Sequence, residues 1–449
     1  MALAVQDSLR RRPLLGVALF LLLVAVTGFL RLHGNDASAR LVDRGQAAIA
    51  LRVLDAAGAL GPDSSATDGD REKAKERSAP GYPLVLAVAA RLDASFAAVL
   101  VCRARGADCG AASIRPLQLV QLAVAVVGLG VAMFAASLLS GAPSVALLTG
   151  LLLFAASPIG EAASYAAPYV WVPALLALFT LLAVASHLQR SIWLTFVAGA
   201  ALGILALFVP ATLPAPLATS VALALAARRN GAKVGGALLR GLVLIAGTAS
   251  VLALALMLLV GAGVYEIDAA LRALAYDLEL RAAFSKMSAA MALTGALLPL
   301  PVVGGLVDLL APAAWTNPFG PFVPGTFVSD GDAAWRASLQ RALAAPGLVS
   351  GLSDRLAADA TGNLLSMPAV AMRGLLGSAD LIGLVGLLHM KTTLAWHRAD
   401  GRLPLLVAVA LPYVVLLLAN TAFTANLPMT NMPLAFLHAY AIAYVAGRL

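Results

Sequence analysis

Apolar runs of about 20 residues recur along the chain, with short polar tracts between them. They are Pro13–Leu32, Pro116–Leu139, Val145–Ala156, Tyr169–Ser186, Trp193–Val209, Pro214–Ala226, Ala237–Gly261, Ala379–Met390, Leu403–Leu418 and Pro433–Val445. None alternates with the period of two that a membrane barrel strand shows, so each reads as a helix. In lipid a chain must satisfy its backbone polar groups internally, and a helix does so alone. The pattern therefore predicts an all-α polytopic membrane protein with about 10 transmembrane helices.

Two long stretches interrupt the pattern. The first, 33–115, opens on His33 and Asp36 and continues as an amphipathic run from Ala39 to Ala57. Ser38 is placed to cap a helix whose apolar stripe is Leu41, Ile49 and Val53, which predicts an amphipathic helix lying in the membrane interface. A charged tract, Asp63 to Arg77, leads to Pro80-Gly81-Tyr82-Pro83. Leu84–Cys102 is apolar, yet Arg91 and Asp93 sit in its middle, and each charge costs about 3 kcal/mol at a membrane helix centre. It reads as a re-entrant or interfacial helix pair. The second stretch, 263–375, is charged at both ends and holds an apolar segment, 287–310, that reads as a hairpin dipping into the membrane or as two short spans. The chain so divides into an N-terminal transmembrane module, 1–262, this second loop region, and C-terminal transmembrane helices, 376–449.

Composition agrees. Hydrophobic residues make up 61% and charged residues 12%, against about 25% charged in soluble domains. The net charge of +8 belongs to short tracts at span ends rather than to a nucleic-acid-binding face. Arg10-Arg11-Arg12, the His187–Arg190 and Arg228–Lys233 tracts, and Lys391 to Arg402 fall on one side if Leu84–Cys102 does not cross. The positive-inside tendency makes that side, and the N-terminus, cytoplasmic. Both long loops are then outer loops, periplasmic if the chain sits in a bacterial inner membrane. No small-residue cleavage site follows Leu32, so the first helix is expected to stay. Cys102 and Cys109 share the outer side and either pair or remain thiols. The spans carry no mid-membrane carboxylate of the kind transporters use, which favours an enzyme or a scaffold at the outer leaflet over a transporter or flippase.

Several segments, in order, resemble a known class. They are the first span leading to Asp36 and an amphipathic helix, then Arg77-Ser78-Ala79-Pro80-Gly81-Tyr82-Pro83, then Ile114-Arg115-Pro116-Leu117-Gln118. Ala156-Ser157-Pro158, Ala167-Pro168-Tyr169, the Trp193 to Pro210 span and the Asn426 to Pro433 segment follow. Together they resemble the GT-C class of polytopic glycosyltransferases, similar to protein O-mannosyltransferases and lipid A aminoarabinose transferases. The likeness spares only about 265–310. It implies transfer of a sugar from a polyprenyl-phosphate donor to a lipid, glycan or protein acceptor. Asp36 would be the general base. A carboxylate at a helix foot in a partly dehydrated cleft suits that role.

The resemblance also implies cationic partners for the donor phosphate: Arg115 at the matching position, with Arg77 and Arg373 as further candidates. Tyr82, Tyr165, Trp171 and Trp315 are candidates to stack on sugar. Two departures stand out. Members often carry an acid where this chain has Tyr165 or Pro168, and the nearest carboxylate is Glu161, the second catalytic candidate. The Arg of a Thr-Arg-Pro motif is Val209 here. A divalent metal is left open, with no ligand set assigned. The departures motivate an alternative, a non-catalytic scaffold or accessory subunit on the same fold.

Overall fold

The computed structural model describes residues 2–34, 42–58, 79–105, 109, 114–156, 163, 166–264, 402–421 and 432–446. The expectations for the rest of the second loop, including 287–310, and for the Ala379–Met390 span lie outside the described residues. Those described form twelve α-helices and no strand. They are α1 (Ala2–Gly34), α2 (Arg44–Ala56), α3 (Gly81–Leu92), α4 (Ala94–Ala104), α5 (Arg115–Ser140) and α6 (Val145–Ala156). After these come α7 (Trp171–Gln189), α8 (Ile192–Phe208), α9 (Ala215–Arg229), α10 (Val234–Gly261), α11 (Arg402–Thr421) and α12 (Met432–Ala446).

Helices α5, α7 and α10 are long and apolar enough to cross a membrane. Shorter apolar helices surround them. Leu217, Val221 and Leu225 of α9, and Leu254, Met257 and Leu258 of α10, are exposed. So are Leu15, Leu19, Leu22 and Val26 of α1. An exterior of leucine stripes at helical spacing is costly in water and fits lipid. Buried polar residues are Gln, Ser, Thr and one His, His187; among the described residues no Asp, Glu, Lys or Arg is buried.

Local signals explain the helix ends. Gly141 closes α5 with φ 76°, a left-handed residue that glycine adopts without strain. Ser191 starts α8, its hydroxyl accepting the Leu194 N–H. Helix α2 begins later than expected. It starts at Arg44, and its cap is Asp43, whose carboxylate accepts the Gln46 N–H at 2.9 Å. Asp43 thus replaces Ser38 as the cap, because a helix start needs an acceptor within reach of its first free N–H groups. Nor does α2 bury only a narrow stripe. Ala47, Ala48, Ile49, Ala50, Leu51 and Leu54 are all buried, because α2 packs on both α3 and α4.

The bundle core runs through α1 and α5–α8 and takes in α11 and α12. Thr180 of α7 and Tyr413 of α11 share a hydrogen bond at 3.0 Å, and Tyr413 meets Tyr440 of α12 edge-on. The C-terminal helices so share one core with the N-terminal module. A second cluster, from α2, α3, α4 and the start of α5, sits on the bundle.

Helices α8 and α10 run side by side and parallel. A Cβ on Gly199 would strike the Leu244 carbonyl oxygen, and one on Gly203 would come 2.8 Å from that of Thr248. A Cβ on Gly247 would strike the Phe196 carbonyl oxygen. Thr248 Oγ1 donates across the seam to the Gly199 carbonyl at 2.8 Å. Small residues that let backbones meet, joined by a hydroxyl bond, are how helices associate without a hydrophobic drive between them. Gly199→Ala is predicted to destabilise the fold by about 1–3 kcal/mol, the usual cost of overpacking. Gly16→Ala, where an added Cβ meets nothing, should leave stability unchanged or raise it. Thermal unfolding in detergent checks both.

Candidate functional site

The second cluster is built from the first long loop. The apolar run after Pro83 breaks at Asp93 into α3 and α4, of 12 and 11 residues. Asp93 caps α4. Its carboxylate accepts the Ser95 N–H at 2.8 Å and the Ser95 hydroxyl at 2.6 Å, and these bonds hold its carboxyl below the ordinary range.

Reciprocal bonds lock the start of α2 to the end of α4. Arg103 Nε donates to the Val42 carbonyl at 3.0 Å, and Arg44 Nε to the Ala104 carbonyl at 3.2 Å. Cys102 and Cys109 are joined as a disulfide just beyond, which settles the choice between a pair and two thiols. Helix α1 ends at Gly34, and the Val42 carbonyl accepts from Arg103.

The Pro-Gly-Tyr-Pro segment is the joint between this cluster and the bundle. A Cβ on Gly81 would lie 2.7 Å from Phe208 and 2.8 Å from the Leu207 backbone, so only glycine lets α3 reach the end of α8. Tyr82, expected to meet substrate, is instead a buried anchor only 2% exposed, because its ring fills the gap between α3 and α5. Its hydroxyl donates to Gln121 Oε1 at 3.2 Å, and Gln121 Nε2 donates to the Ala163 carbonyl at 3.2 Å. Burial, then the nearby Tyr169, push the Tyr82 phenol well above its ordinary pKa, so it remains a donor. Beside it Trp171 stacks on Phe208, with ring centres 5.8 Å apart. Among the described residues the buried Trp171 Nε1 donor has no hydrogen-bond partner.

Arg115 is the first residue of α5 and is partly buried. It lies between two different faces. On one, Gln118 and Gln121 follow at three-residue spacing, both buried. On the other, Leu119, Leu122 and Val126 line an open apolar groove against Ala25, Val26, Phe29 and Leu30 of α1. That groove has a volume of about 530 Å³.

Tyr82, Arg115 and Trp171 are thus the sequence-derived candidates that fall within the described residues. Asp36, Arg77, Glu161, Tyr165, Trp315 and Arg373 lie outside them, as do the side chain of His33 and any contact among these residues. Glu161 and Tyr165 each stand two residues from Ala163, whose carbonyl the Gln121 amide holds. Val209 closes α8 as a nearly buried cap, and the Pro168 carbonyl accepts the Trp171 and Val172 N–H groups. Both positions where the likeness expects charge serve here as apolar or backbone joints. Among the described residues no three His, Cys, Asp or Glu side chains gather as metal ligands.

Sequence reasoning missed Gln121. Its signal was the Gln118-x-x-Gln121 pair inside an apolar span, where a buried amide must find partners. No family model, curated protein or solved structure matches the chain.

Replacing Gln121 by Leu leaves the buried Tyr82 hydroxyl without its partner, at a cost of about 1–3 kcal/mol. Tyr82→Phe with Gln121→Leu should cost less than the sum of the two single changes. Unfolding midpoints of the four proteins of that cycle decide it; strict additivity would contradict the bond.

Proposed function

We propose that the protein is a membrane glycosyltransferase. It moves a sugar from a polyprenyl-phosphate donor to an acceptor at the outer face of a bacterial inner membrane. In this reading the chain crosses about 10 times, with its basic helix ends and N-terminus cytoplasmic. One juxtaposition supports it. Helix α5 begins at Arg115, and one turn further on, from Leu119, an apolar groove runs down the α1–α5 face. At the same end the Val42 carbonyl is held by Arg103 and the Ala163 carbonyl by Gln121. A groove for a hydrocarbon chain, a guanidinium for phosphate and carboxylates nearby are the parts that transfer from a lipid-linked sugar needs.

Asp36 acts as general base on the acceptor. It takes the acceptor proton as the acceptor oxygen or nitrogen attacks the sugar carbon. The bond from that carbon to the donor phosphate oxygen breaks, and the lipid phosphate leaves toward Arg115. The observation that favours the scaffold alternative is that neither Pro168 nor Val209 supplies a charge at the joint.

The test is transfer of labelled sugar from a polyprenyl-phosphate donor in membranes carrying the protein. Asp36→Asn is expected to lower turnover about 100-fold or more, the range of a lost general base. Arg115→Gln is expected to raise the KM for donor more than it lowers kcat. Turnover by Asp36→Asn equal to that of the unaltered protein removes Asp36 as base. Absence of transfer by the unaltered protein, with stable association in a larger membrane complex, favours the scaffold.

A further inference from the structure

At the opposite end of the bundle, the helix ends from α7 to α10 carry charge of one sign. From 162 to 265 the chain has no Asp or Glu, and its cations are Arg190, Arg228, Arg229, Lys233 and Arg240. The fold brings these five together. Arg190 forms the left-handed turn between α7 and α8, at φ 55°. Arg228 and Arg229 end α9, and Lys233 precedes α10. A hydrogen bond of 2.5 Å between His187 and Asn230 ties the end of α7 to the end of α9.

The parallel register of α8 on α10 sets Gly199 against Leu244 and Gly203 against Thr248. Followed back toward the helix starts, it brings Arg240 to within about two turns of Arg190, and the two guanidiniums repel each other. Among the described residues none of the five pairs with a carboxylate, and Arg228 donates only to the Ala232 carbonyl. Like charges held together in this way call for an anion between them.

What adjoins the cations decides which anion. Beside them the surface turns apolar: Ile192 and Trp193, which follow Arg190 on α8, are exposed, Trp193 to 69%. A cationic rim over an apolar wall, with an indole at the boundary, complements a molecule with an anionic head and hydrocarbon tails. A soluble phosphate or an acidic peptide would use the rim and leave the wall bare.

We propose that this end of the protein is a binding site for anionic phospholipid, with the lipid phosphate between Arg190 and Arg240 and the acyl chains along Ile192 and Trp193. The site lies at the far ends of α8 and α10 from the Tyr82 joint and does not depend on the glycosyl-transfer reading.

The full-length protein in detergent is titrated with phosphatidylglycerol or phosphatidylcholine, and the unfolding midpoint and the lipid retained in native mass spectrometry are read. Phosphatidylglycerol should raise the midpoint and stay bound, while phosphatidylcholine and inorganic phosphate should do neither. Arg190→Gln with Arg240→Gln should weaken phosphatidylglycerol binding about 30-fold, as expected for the loss of two surface cations. The double lysine variant, which keeps the charge, should bind within a few-fold of the unaltered protein and guards against a glutamine variant that fails to fold. Arg91→Gln, at the other end, should change nothing. Equal response to both lipids, a shift reproduced by inorganic phosphate, or full binding by a folded glutamine variant would overturn the proposal. So would a patch that captures an acidic peptide in preference to lipid.

Discussion

Two helices lie against α8 at the level of the backbone itself, and that closeness organises the molecule. On its long side, Gly199 and Gly203 admit the carbonyls of α10. At its end, Leu207 and Phe208 receive Gly81 of α3. A protein whose exterior faces lipid gains little from pressing leucine on leucine, since the tails are as apolar as the side chains. Close contact and the few polar bonds that fit within it must specify which helices are neighbours. The Thr248 bond to the Gly199 carbonyl is one such bond, and the Thr180–Tyr413 pair, which brings in α11, is another.

The same economy shapes the joint beneath the candidate site. One amide, Gln121, is bonded to both Tyr82 and the Ala163 carbonyl. It thereby couples three parts of the chain: the helix after the charged tract, the first turns of α5, and the segment between α6 and α7. Reciprocal arginine bonds and a disulfide then hold α2 to α4. Val42 thereby shares a core with Ile114 and Leu117 at the start of α5, the end where Arg115 stands. The reading of the site as a place for a lipid-linked phosphate rests on that gathering and on the groove beside it. The helix ends from α7 to α10 at the other side are built on the opposite plan, with five cations and no acid between residues 162 and 265.

Much of this was legible in advance where a single physical rule dominates. A charged pair in mid-run, Arg91 and Asp93, costs too much to lie across a membrane, and the helix does break at Asp93. The start of α2 was less legible, because Ser38 and Asp43 are both acceptable caps and only packing on α3 and α4 chooses between them. Tyr82 misled for a related reason. A tyrosine beside two prolines can line a site or fill a gap, and its burial depends on where α5 lies. The role of Gln121 was hidden because its partners stand about 40 residues away on either side.

The sequence by itself determined helix, lipid exposure and the two-sided distribution of charge. Each follows from transfer free energies that act residue by residue, and composition over a span of about 20 residues is enough to read them. The tertiary structure alone decided that Gly81 meets α8, that α8 runs parallel to α10, and that Arg190 and Arg240 face the same space. Those depend on which backbones approach one another, and no local pattern encodes the partner of a glycine.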